Sequence, residues 1–157
     1  ESWAAMNRRS RDNSRTPMQW NDSENAGFSA AEKTWLRVNP NYVSLNAESE
    51  SPDPYSVLNY YRKLTALRKD KDYKEAVVYG LFAPLSDTTD EIIAYQRLLP
   101  DGKGLTIAIN NSDRLIAFKL PAAFEKRVLG NYEDFPEKKA SGNYLLRPYE
   151  ALVTTNY

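Results

Sequence analysis

The sequence predicts a mainly β protein, an antiparallel Greek-key β-sandwich preceded by a long irregular segment and one amphipathic helix. Two observations carry that prediction. Beyond about residue 75 the chain breaks into short apolar-alternating runs separated by turn residues, the texture of a sandwich or barrel. Ahead of them Val57, Tyr60, Tyr61, Leu64 and Leu67 recur at helical spacing, whereas no sustained period of either kind runs from Asn7 to Pro52.

Taken in order, residues 1–6 read as the end of a helix. The irregular segment follows, and within it "RRSRDNSRTPMQWNDSENAGF" (Arg8 to Phe28) concentrates four arginines, two aspartates, three asparagines, a Trp and a Phe. A loop this long in a compact domain is either functional or disordered. Its tryptophans favour a segment draped over partners. Asp53 and Pro54 then read as N-cap and first position of a helix over 53–70, because Asp accepts an orphan N–H and Pro has none to leave unpaired. Arg62, Lys63, Arg68 and Lys69 gather toward its C-terminus, where the macrodipole favours cations. Strands are predicted near 76–81, 91–99, 105–110, 114–120, 126–131, 143–146 and 150–155. Asp101-Gly102 in "PDGKG" marks a hairpin, since this pair readily adopts positive φ. In the third strand Leu105, Ile107 and Ile109 share one face, with Thr106, Ala108 and Asn110 on the other. The chain therefore divides into a front piece, 1–75, which cannot close a core by itself, and a sandwich, 76–157.

Composition narrows the chemistry. Lys plus Arg and Asp plus Glu both number 21, which argues against nucleic acid or an anionic membrane as partner. A hydrophobic content of 41% supports a packed core rather than wholesale disorder. The 157 residues contain neither cysteine nor histidine, so thiolate and imidazole chemistry are excluded for this chain alone. No metal or cofactor pattern is present in the sequence, and none is expected. Asn21 and Asn110 each open an Asn-x-Ser sequon. The chain begins at Glu1 rather than Met, which reads as a cut into a longer protein.

"SRDNSRTPMQW", "NAGF", "VNPNY", "SVLNYYRKLTALRK", "VVYG" and "LRPYEALV" occur in that order. Together they resemble the C-terminal part of α-glucosidases of the α-amylase superfamily, glycoside hydrolase family 13. The nearest group comprises oligo-1,6-glucosidases, dextran glucosidases, trehalose-6-phosphate hydrolases and sucrose isomerases. The resemblance implies that residues 1–75 are the loop after strand 8 and helix 8 of an incomplete (β/α)8 barrel, and that 76–157 is the C-terminal sandwich. It implies hydrolysis of short α-glucosides, a glucose oligosaccharide as the substrate of the intact enzyme, and a bacterial-type cytoplasmic setting.

Retaining glycosidases need two carboxylates about 5–5.5 Å apart. The resemblance places both upstream of Glu1, so no catalytic residue is expected here; Asp12, Asp22 and Asp53 match no catalytic motif. It assigns one substrate contact, Arg11, whose guanidinium offers five donors in a rigid fork suited to sugar hydroxyls. Asp12, Asn13 and Arg15 are expected to brace the loop, and Gly27 to serve a turn. Trp20, Phe28 and Trp35 are open to two roles, packing anchor or sugar platform. A competing reading is a non-catalytic carbohydrate-binding or structural β-sandwich, which in its binding form requires an exposed row of aromatics. The apolar stripe of the 53–70 helix is expected to promote self-association.

Overall fold

The computed structural model describes residues 11–86 and 88–157; the expected helix end at 1–6 lies outside them. The chain forms two compact units, Glu1–Tyr61 and Arg62–Tyr157. The first is built from 3-10 turns at Arg11–Ser14, Glu24–Gly27 and Pro40–Val43, followed by the short helix α1 (Ala47–Glu50). Helix α2 (Val57–Leu67) runs across the division between the units.

The start of α2 differs from the sequence expectation by one turn. Asp53 forms an Asx turn, its Oδ1 accepting the Tyr55 N–H at 2.9 Å. The cap is Ser56, whose Oγ accepts the Asn59 N–H at 3.2 Å, and the Glu50 carboxylate accepts the Leu58 N–H at 2.9 Å. An anionic oxygen on an orphan donor also complements the helix dipole. The Asn59 amide then donates to the carbonyls of Glu50, Ser51 and Asp53 and clamps the approach.

The second unit corrects the first predicted strand. Residues 74–79 are helical, α3 (Lys74–Tyr79), and strand β1 (Leu81–Pro84) starts only after it. Val77 and Val78 carry β propensity, but Ala76 is fully buried with Leu105 and Val153, and its small side chain lets the helix lie close to the sheet. Asp70 organises the turn before α3, accepting the Asp72 and Tyr73 amides on Oδ1. Gly80 ends the helix, donating to the Glu75 and Ala76 carbonyls in a space where a Cβ would stand 2.5 Å from the Ala76 oxygen.

The other strands are β2 (Ile92–Leu98), β3 (Gly104–Asn110), β4 (Ile116–Phe118), β5 (Lys126–Gly130), β6 (Glu137–Lys138), β7 (Tyr144–Leu146) and β8 (Ala151–Thr155). The short β6 carries no apolar alternation, and nothing in the sequence marks it. All pairings are antiparallel, in a five-stranded sheet β1-β2-β3-β8-β5 and a three-stranded sheet β4-β7-β6. The predicted hairpin joins β2 to β3: Gly102 sits at φ 81, and the Asp101 carboxylate accepts the Lys103 N–H.

The larger sheet has packing partners on both faces, with part of the helix side left open. On one side Ile92, Ala94, Ala108 and Leu152 meet Phe118, Tyr144 and Leu146 of the smaller sheet. On the other, Leu105, Ile107 and Val153 meet α3 and Tyr73. The predicted alternation in β3 thus distributes its residues between two packed layers, with Thr106, Ala108 and Asn110 each fully buried on the inter-sheet side.

A polar knot closes one end of the sandwich. Asn110 donates to the carbonyls of Arg114, Leu146 and Arg147 and accepts from the Ser112 hydroxyl, which leaves this sequon asparagine with no free amide for a glycan. Glu150, 1% exposed, accepts from Arg147 through its backbone N–H (2.7 Å), Nε (3.1 Å) and Nη2 (2.7 Å). The same guanidinium lies 4.0 Å over the Tyr132 ring and holds Asp134, whose carboxyl it keeps below the ordinary aspartate range. Removing one partner from such a pair strands the other's charge. Glu150→Ala is expected to lower unfolding free energy by about 3 kcal/mol. Urea unfolding followed by far-UV circular dichroism checks it, and a change within the scatter of surface substitutions contradicts it.

Candidate functional site

The chemistry-rich loop of the first unit is held by its own amides. Pro17 is buried; the Gln19 side chain donates to the Leu45 carbonyl, and the backbone of Gln19 and Trp20 accepts the Ala47 and Glu48 N–H groups at 2.9 and 3.0 Å. The "TPMQW" stretch is thereby stapled to the start of α1. Asn46 caps that helix reciprocally with Ser49 and donates to Tyr42, which fixes the turn at Pro40–Val43. These partners explain why the segment is so rich in asparagine: each amide replaces a backbone bond that a helix or sheet would have supplied.

The "SENAGF" turn is the unusual piece. Asn25, Ala26 and Gly27 follow one another at φ 53, 58 and 64, three consecutive left-handed residues. Gly meets that requirement freely and Asn tolerates it, but for the buried Ala26 it costs about 1–2 kcal/mol. The turn is enforced by the Ala26 carbonyl, which accepts from both Trp20 and Asn21 N–H, and by the Asn25 amide, which donates to Ser29 and Ala31. The expected turn role of Gly27 is therefore met; that Asn25 and Ala26 would share the conformation carried no sequence signal beyond the Asn itself.

The turn delivers Phe28 to a pocket of about 300 Å³ bounded by Arg15, Thr16, Met18, Lys33 and Trp35. Asp12 and Arg15, two of the residues expected to brace the loop, pair with each other at 3.5 Å with both side chains half exposed. Arg11 lies in the 3-10 turn Arg11–Ser14; its side chain, and that of Asn13, lie outside the described residues. Among the described residues no cluster of three or more carboxylates is placed to hold a metal. In the second unit Phe118, Phe124 and Tyr144 are buried and Phe135 packs on Tyr144, so these aromatics build the sandwich rather than a row on its surface.

Residues 1–80 match the model of the alpha amylase catalytic domain. This chain belongs to the alpha-amylase family. It is 40% identical over 147 residues to an oligo-1,6-glucosidase of Parageobacillus thermoglucosidasius, covering 91% of this chain and 25% of that protein. An alpha-glucosidase of Candida albicans is 38% identical over 152 residues, 93% of this chain and 24% of the other. Among solved structures, isomaltulose synthase of Klebsiella sp. LX3 superposes with a TM-score of 0.78 at 38% identity, over 93% of this chain and 26% of the other. Trehalose-6-phosphate hydrolase of Bacillus licheniformis does so at 0.77 and 35%. The chain thus spans about a quarter of the length of these alpha-amylase relatives.

Within this family member the turn at Gly27 is sterically exacting. A Cβ there would stand 2.4 Å from the Asn21 Oδ1, at a φ that L side chains rarely adopt. Gly27→Val is expected to loosen the loop and raise its rate of limited proteolysis several-fold while the second unit keeps its amide-exchange protection. Unchanged cleavage would contradict the turn's role.

Proposed function

We propose that this chain is the C-terminal part of an α-glucosidase of the oligo-1,6-glucosidase kind, which hydrolyses short α-glucosides in carbohydrate metabolism. The observation that carries the reading is the 40% identity to an oligo-1,6-glucosidase across 91% of the chain, loop and sandwich alike. The substrate class is a glucose oligosaccharide; two mutants of the isomaltulose synthase of Erwinia rhapontici NX5 were solved, one with sucrose and one with D-glucose. Residues 1–75 act as the last loop and helix of the barrel and 76–157 as the sandwich that follows it. A cytoplasmic setting is proposed with this on the bacterial-type resemblance alone.

Arg11 is the substrate contact. Its fork donates to sugar hydroxyls without changing protonation state at any working pH, a positioning task rather than a proton transfer. The two carboxylates that break the bond are supplied by sequence with no counterpart in this chain. Nucleic acids and membranes are not proposed as partners: the charges balance at 21 and 21, and among the described residues no helix is long and apolar enough to cross a membrane.

The test uses both lengths of protein. The 157-residue chain is expected to release no glucose from isomaltose or isomaltotriose, and the full-length protein of its gene to release it. In the full-length enzyme Arg11→Ala is expected to lower kcat/KM by about a hundredfold, the scale of losing a charge-assisted contact. Hydrolysis by the short chain, or full activity of the variant, would overturn the reading.

Self-association is proposed through the α2 stripe. No residue of α2 is fully buried, and Leu64 and Leu67 line an open apolar cleft of about 560 Å³ with Val77, Phe82, Tyr95 and Ile107. A second copy would cover this surface. Sedimentation velocity of the 157-residue chain is expected to show apparent mass rising with concentration, an effect that Leu64→Lys removes; a constant monomeric mass contradicts it.

A further inference from the structure

We propose that Asp101-Gly102 is a latent modification site, a pair prone to rearrange to isoaspartate that the folded β2–β3 hairpin holds inert until the turn opens.

An aspartate followed by glycine carries its own reactive partner. The Gly102 nitrogen attacks the Asp101 carboxyl carbon, its proton and one carboxyl oxygen leave as water, and a five-membered imide closes. Water then opens the imide at either carbonyl. One opening returns aspartate; the other routes the main chain through the side-chain carbon as isoaspartate, one atom longer. Glycine hinders this closure least, because no side chain stands beside the attacking nitrogen. The step needs a free nitrogen, a carboxyl that can become neutral, and a backbone able to swing one onto the other.

The hairpin withholds all three. The Gly102 N–H is donated to the Leu99 carbonyl at 3.0 Å. The Asp101 carboxylate accepts the Lys103 N–H at 3.0 Å on Oδ1 and faces the Lys103 ammonium at 3.3 Å on Oδ2. The backbone bond, with the ammonium beside it, keeps that carboxyl below the ordinary aspartate range. The Gly102 carbonyl accepts from the Asn156 side chain at 3.0 Å, and the same side chain accepts the Gly104 N–H at 3.0 Å. Gly102 is thus pinned at its nitrogen and at its carbonyl, in a turn it holds at φ 81. All of these bonds lie within the second unit.

The lesion does not stay in the turn. An extra main-chain atom at residue 101 moves Gly102 and Gly104 away from Asn156, and the Gly104 carbonyl away from the Thr155 hydroxyl that meets it at 2.8 Å. Those bonds secure the end of β8. A hairpin modified while open therefore recloses poorly, and the damage passes to the strand paired on both sides.

The test ages the full-length protein at neutral pH, native and in concentrated urea, and reads isoaspartate at residue 101 by electron-transfer fragmentation of the peptide that contains it. The native protein is expected to accumulate isoaspartate about tenfold more slowly than the unfolded chain. Asn156→Ala and Lys103→Ala each remove one restraint. Each is expected to raise the native rate about threefold while leaving the rate in urea within about twofold. Amide-exchange protection of β3 shows that a variant is folded, and a rise in either folded variant supports the guard. Equal rates in the native and unfolded parent overturn the proposal, as do native rates that neither substitution moves. If both variants unfold, the parent comparison alone decides.

Discussion

Strand β8, the last of the chain, is hydrogen-bonded on both sides, to β3 and to β5, and the rest of the second unit depends on that insertion. Leu152 fills the space between the sheets, and Val153 turns to the helix side. The side chains of Thr155 and Asn156 tie back to the β2–β3 hairpin, Thr155 to the Gly104 carbonyl and Asn156 to the Gly104 N–H. Without β8 the larger sheet separates into a three-stranded piece and a lone β5. Pairing Leu105 with Thr155 joins residues far apart in the sequence, a non-local contact with a loop-closure cost.

The knot at Arg147 and Glu150 sits where β7 gives way to β8 and explains how the end strand is aimed. Tyr149 adopts φ 53, a conformation unfavourable to a bulky side chain, and its carbonyl accepts from Asn131 while Tyr132 reaches the Pro148 carbonyl. The buried carboxylate, the stacked guanidinium and the strained corner form one device. It turns the chain and aims its final strand between β3 and β5.

Much of this was legible because it is local. The α2 stripe, the Asp101-Gly102 hairpin and the alternation of β3 each follow from spacing or from a residue's own φ preference. The α3 segment reads as a strand because the pattern Val77-Val78-Tyr79 records β propensity, whereas its state is set by a seat on Leu105 and Val153 far along the chain. The cap of α2 is hidden from the sequence because Glu50, which shares that work, belongs to an element with no apolar signature. The site divides in the same way. Gly27 and the Asp12–Arg15 brace could be read from residue type, while the pocket at Trp35 depends on how a strained turn brings Phe28 to it.

Pro84 closes β1, one of the two outer strands of the larger sheet, beside the exposed Leu81 and Phe82. It has no N–H to offer a newcomer and cannot accommodate an extended ladder on its free side. At this edge the addition of a further strand is disfavoured, and with it the sheet-to-sheet joining that seeds fibrils.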